Sequence, residues 1–211
     1  MELLEAGDAE GALTVAYELR GAIDELEAAA TAAPARGGRG SRLVPLIELD
    51  PYVAWESRPV PVPHTAGPVT LRPVLMEIVE AEGPIYAGRA FALYSWASGK
   101  KYTSAAKAPL AGAAWQLKDQ GLLTVGREDA TRIENDDVLR PVGTPEIHVR
   151  QLGTRTLTEV PLEEIAELMV RLRGLSPTGE IDLKRAVLDT YGLARMTARA
   201  DEYLESALEL L

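Results

Sequence analysis

The chain has 211 residues and a formal net charge of −10, with 46% hydrophobic, 26% charged and only 5% aromatic residues. These proportions fit a folded globular chain with room for one large domain or two small ones. With no cysteine, disulfides, thiolate metal sites and cysteine nucleophiles are excluded together, and the overall acidity argues against a free-standing nucleic-acid binder, since phosphate contacts need local positive charge.

The opening MELLEAGDAEGALTV holds no basic segment followed by an apolar stretch, so no signal peptide is expected. No run approaches the ~20 apolar residues of a membrane span. A cytoplasmic protein without membrane contact is the expectation. Residues 1–33 read as an N-terminal helical segment, with Leu3, Leu4, Leu13, Ala16, Tyr17, Ala22, Ile23 and Leu26 near helical spacing and Gly7, Gly11 and Gly21 weakening it. Residues 34–68 read as a Gly/Pro-rich linker and docking arm. Arg36-Gly-Gly-Arg-Gly40 is a single copy of a tract that acts by repetition, hence a loop. Leu43 to Leu49 could form a short strand. Pro51, Pro59, Pro61 and Pro63 then force extended backbone, with Tyr52, Val53 and Trp55 as expected anchors.

Residues 69–143 read as a first folded unit. Thr70 caps a helix with Pro73 in its first turn and Leu71, Val74, Leu75, Ile78 and Val79 on one face; Gly83-Pro84 ends it. A second helix runs from about Tyr86 to Trp96. After the turn Ser98-Gly99-Lys100-Lys101 comes a third, from Thr103 or Ser104 to Gln120. Pro109 falls inside this helix, which predicts either a kink or a start near Ala108. Strands at Leu122–Val125 and Val138–Arg140 flank a polar loop. Three helices followed by a β-hairpin is the winged-helix pattern.

Residues 144–211 read as a second, degenerate helix-turn-helix unit. Its helices open at Pro161-Leu162, run over about Asp182–Tyr191, and run from Thr197 to Leu210, with breaks at Gly174 and Gly192. The fold expectation is therefore mainly α with small β-hairpins, as tandem winged-helix or helix-turn-helix-like units behind an N-terminal helical segment.

Charge is uneven. Residues 71–126 carry 4 acids and 6 bases, while the flanking regions are strongly acidic. Lys100, Lys101, Thr103, Ser104 and Lys107 cluster at the start of the third helix, the part a helix-turn-helix points into the major groove. Arg127 and Arg132 would reach the DNA backbone from the wing, and Arg195 and Arg199 hold the corresponding place in the second unit. The competing expectation is protein docking on the same scaffold, because lysines in a turn are commonly just solvated.

The stretch Glu80-Ala-Glu-Gly-Pro-Ile85, together with Val149-Arg150, Arg155, Glu159-Val-Pro-Leu-Glu-Glu-Ile165 and the Tyr191-Gly-Leu-Ala-Arg195 turn, resembles the C-terminal domain of unknown function of large bacterial superfamily I helicase-like proteins. The resemblance covers roughly residues 65–211. It implies tandem helix-turn-helix units attached to DNA-processing machinery, defence systems included, and a helicase or nuclease as partner. It offers no catalytic residues, and this chain carries neither a helicase nor a nuclease part.

Catalytic signals are weak. Ser98-Gly99-Lys100 lacks the first glycine of a phosphate-binding loop, Tyr94 standing there. Asp182-Leu-Lys184 fits half of a nuclease motif but falls on a helix. Glu134, Asp136 and Asp137 could gather a divalent cation, although a mobile acidic wing tip is the simpler reading. His64 and His148 lack metal-ligand spacing, and no G-x-S-x-G segment occurs. No enzyme, metal or cofactor is expected. The functional expectation is a non-catalytic nucleic-acid-binding or accessory module contacting double-stranded DNA; the alternative is a protein–protein assembly module, including assembly with a second copy.

Overall fold

The computed structural model describes residues 47–127, 130–175 and 181–211. The helical reading of residues 1–33 and the arginine-glycine loop lie outside the described residues. Within them the chain is mainly helical, with six α-helices and one small antiparallel sheet.

The first unit runs α1 (Pro68–Glu82), β1 (Ile85–Tyr86), α2 (Ala87–Ala97), α3 (Ser104–Asp119), β2 (Leu123–Val125) and β3 (Val138–Pro141). Helix α1 buries the expected stripe of Leu71, Val74, Leu75, Ile78 and Val79. Its cap is Gly67 and not Thr70, because Pro68 takes the first helical position, where its missing N–H costs nothing. Pro73 and Pro109 each lie near the start of an unbroken helix, about one and a half turns in. Each stands just beyond the first four N–H groups, which have no intrahelical partner, so each proline removes a single intrahelical bond. Helix α3 therefore begins at Ser104. Gly121 closes it with φ +69, a conformation glycine adopts without a Cβ penalty.

Strand β1 has no counterpart in the sequence pattern, which starts the second helix near Tyr86. It makes the sheet three-stranded, in the order β1-β3-β2, with Ile85 opposite Leu139 and Thr124 opposite Arg140. Phe91, Tyr94, Leu110, Leu123 and Leu139 fill the core between helices and sheet.

The second unit holds a 3₁₀ turn (Leu157–Glu159), α4 (Leu162–Gly174), α5 (Leu183–Thr190) and α6 (Ala198–Leu208). Side-chain caps fix two helix starts: Asp182 accepts from the Arg185 N–H at 3.0 Å, and Thr197 from the Ala200 N–H at 3.1 Å. Ile165, Leu168, Met169, Leu172, Val187, Leu188 and Leu204 form a separate core. No strand or hairpin occurs in this unit among the described residues, so the expectation of several β-hairpins reduces to one sheet. His148 lies outside any strand and pairs with Asp50 at 3.0 Å.

The arm ties the units together. Ile47 and Leu49 pack on the second core, Asp50 makes a single parallel bridge to Arg150, and Trp55, Val60 and Ala66 pack on the first core. The expected strand through Leu49 is absent over residues 47–49. Tyr52 and Trp55 anchor the arm as expected, whereas Val53, on the outward side of the extended backbone, is 61% exposed.

Candidate nucleic-acid interface

The α2–α3 turn pivots on Gly99 at φ +71, with the Lys100 N–H bonded to the Ser95 carbonyl at 3.0 Å. Lys100, Lys101, Thr103 and Ser104 are exposed here, as expected of a contact surface. The remaining bases of this unit are not available in the same way. The β2–β3 loop folds back over the start of α3, and Tyr102 donates to the Asn135 side chain at 2.7 Å. Glu134 takes ion pairs from both Lys107 and Arg132. Arg127 forks onto Asp137, Nε to Oδ1 at 2.5 Å and Nη2 to Oδ2 at 2.9 Å. Asp137 is itself only 2% exposed and also accepts the Glu134 N–H at 2.7 Å. Lys107, Arg127 and Arg132, expected to face phosphate, thus each face a carboxylate of their own chain.

These pairs also correct the picture of a mobile acidic tip, since Glu134 and Asp137 are tied down. Their oxygens are occupied by cationic side chains, and among the described residues no three acidic or histidine side chains gather around a metal-sized site. Asp182 and Lys184 are likewise engaged, the first as a helix cap and the second with Asp201, at 2.8 Å, and Glu205.

The hydrogen bond from Lys107 holds the Glu134 carboxyl below its usual value. For Asp137, burial works against the charge, but the hydrogen bonds from Arg127 and the Glu134 N–H outweigh it and again lower the value. A carboxylate so depressed adds stability above its ordinary value, about 3.9 for Asp and about 4.3 for Glu, and that stability is lost as pH falls through the lowered native value. On acidification below about pH 3.9, amide protection at residues 133–137 should therefore fall before that of α3. Equal protection in both segments throughout the titration would show that these pairs do not hold the loop.

Arg195 and Arg199 are both exposed, flanking the capped start of α6. Arg199 lines a groove between the two units that also takes in Tyr86, Trp96, Tyr102, Asp136 and Tyr203 and encloses about 530 Å³. Arg195 is not among the residues that line it. On its floor the Tyr203 hydroxyl donates to the Val160 carbonyl at 2.6 Å, and the Leu162 N–H donates to the Tyr86 hydroxyl at 3.0 Å. The 3.0 Å contact between the two hydroxyls is then donated by Tyr86.

A buried charge network, absent from the sequence expectations, joins arm, first unit and second unit. Glu82 receives Arg89 at 2.9 Å, the Trp55 N–H at 3.0 Å and the Tyr52 hydroxyl. Arg89 also reaches Thr154 at 3.1 Å and Glu159 at 3.0 Å. Glu164 is shared by Arg150 at 3.1 Å and Arg155 at 2.9 Å. Arg150 then crosses to the end of α1, donating to the carbonyls of Glu82, Gly83 and Pro84 at 2.9–3.0 Å and so satisfying helix-end acceptors. The guanidinium groups of Arg150 and Arg155 sit 5.5 and 4.6 Å from the Tyr52 ring centre, within cation–π range. Burial, with the Glu82 hydrogen bond, pushes the Tyr52 hydroxyl up to about 12. A signal for this network existed: Glu82 continues the Leu71–Leu75–Ile78 stripe, and Glu164 sits four and eight residues before Leu168 and Leu172.

No protein-family model, curated protein or solved structure matches the chain.

Proposed function

We propose that the chain is a non-catalytic docking module on a winged-helix scaffold, engaging a protein partner within DNA-processing machinery. The order helix, strand, helix, helix, strand, strand, with the first strand pairing the last, supports the winged-helix reading of the first unit. The α5–turn–α6 segment supports a helix-turn-helix reading of the second. The setting, and a helicase or nuclease as partner, rest on the family resemblance.

The observation that favours protein over DNA is the internal neutralisation of Lys107, Arg127 and Arg132 by Glu134 and Asp137. A phosphate backbone laid on this face would meet those carboxylates as well as the bases. The test is titration of the purified chain with labelled duplex DNA across a salt series. The docking reading expects no binding even at low salt, where attraction is strongest. Steeply salt-dependent binding that disappears when Lys100, Lys101 and Lys107 are changed together to Glu would overturn it.

Contact with double-stranded DNA is the second reading. It is favoured by Lys100 and Lys101, which are exposed at the start of α3 and have no carboxylate partner among the described residues. The same titration decides between the two. A solution mass above that of the monomer would identify a second copy as one docking partner.

A further inference from the structure

We infer that the groove between α2 and α6 receives a segment of a partner protein that inserts a lysine or arginine side chain among Trp96, Tyr102 and Asp136. This deepens the docking reading and rests on it. Trp96 is 56% exposed, and among the described residues it is the only aromatic side chain left largely uncovered. An indole face standing in a groove is the surface a cationic side chain prefers. Tyr102 stands in the same lining, its hydroxyl fixed on Asn135, which leaves the ring to make contact.

Charge selects the occupant. Glu134 and Asp137 are used within the chain, but Asp136 between them is exposed and has no hydrogen-bond or ion-pair partner among the described residues. It lines the groove with its negative charge unmatched. Glu163 adds to the field: burial foremost, and this carboxylate in part, raise the Tyr86 and Tyr203 hydroxyls above their ordinary values. The floor offers ring faces, since each of those hydroxyls already donates its proton inside the chain. A nucleic-acid strand stacking on Trp96 would bring phosphates toward Asp136, Glu159 and Glu163, which opposes it. Arg199 is the groove's one cation without a carboxylate partner among the described residues, Arg89 being held by Glu82 and Glu159. It stands on the second-unit wall, so it directs an incoming cation to the Trp96 and Asp136 wall. It is itself left to meet a carbonyl or carboxylate of the same segment.

The experiment titrates the full chain with fluorescent short-peptide pools, randomised except for a fixed central Arg, Lys or Glu. The Arg and Lys pools should bind and the Glu pool should not. Trp96→Ala and Asp136→Asn should each weaken binding about tenfold, the scale of one partly desolvated cation–π or charge contact. Both side chains are exposed, so both variants should fold. The indole N–H signal of Trp96 should shift on titration, while those of Trp55 and Trp115 stay in place. No binding by any pool, equal binding of the Glu pool, or binding indifferent to both substitutions would overturn the inference. If peptides bind but ignore both substitutions, docking survives elsewhere on the chain and only the groove is lost. If labelled single-stranded or duplex DNA binds instead, and Trp96→Ala abolishes that binding, the docking reading fails with it.

Discussion

Replacing Glu164 with alanine should lower stability by about 3–5 kcal/mol, measured as the shift in free energy of chemical unfolding. Arg150, Arg155 and Glu164 are all nearly inaccessible to solvent. The carboxylate accepts from both guanidinium groups and from the Arg150 N–H at 3.1 Å. Removing it leaves two buried positive charges facing each other beside Tyr52, where neither can be hydrated. Losing one partner of a buried pair costs far more than the pair's net worth, because the desolvation penalty of the survivor stays. The contrast is Arg58→Ala. Arg58 pairs with Glu77 at 2.8 Å in good geometry, but both side chains are about half exposed. That change should cost far less, because water and salt screen an exposed pair. Equal losses in the two variants would mean that the buried cluster is hydrated in solution.

Gly153→Ala should be the second large effect, about 3 kcal/mol, combining left-handed backbone strain with overpacking. Gly153 has φ +60, and a Cβ there would land inside the Tyr52 ring. That ring lies under two guanidinium groups and carries the hydroxyl that binds Glu82. It cannot move without undoing the arm's central anchor. Limited proteolysis within residues 47–66 should accelerate in this variant, and the thermal midpoint should fall. Gly143→Ala is the control. It has φ +84 but open space around the added carbon, so it should show the backbone strain alone, about 1–2 kcal/mol.

The helices were legible because their signals are local. The α1 stripe repeats at three- and four-residue spacing, and the glycine that ends α3 stands in the chain where the turn occurs. What escaped was non-local. Strand β1 is two residues long and exists only because Ile85 and Tyr86 pair with residues more than fifty positions away. The basic cluster was visible as charge, but Lys107 meets its carboxylate twenty-seven positions later, and no local rule assigns that partner. Lys100 and Lys101 are exposed, whereas the paired Lys107, Arg127 and Arg132 do not offer the free cations a phosphate contact needs. The Glu82 and Glu164 network left a trace as charges on apolar stripes. Reading it needed their distant arginines to be placed opposite.

The reach of Arg150 into the carbonyls at the end of α1 bears on how the protein can be taken apart. Each half has its own apolar core, so a cut near residue 144 looks natural. Such a cut would strip three backbone acceptors of their donor in one fragment. In the other it would leave an arginine with its fork half empty. The arm, covalently part of the first fragment, would also carry away Ile47 and Leu49, which cover the second core. The two units are therefore not interchangeable parts: grafting or expressing either alone discards contacts that belong to both, and the smallest portable piece spans from the arm to the C-terminal helix.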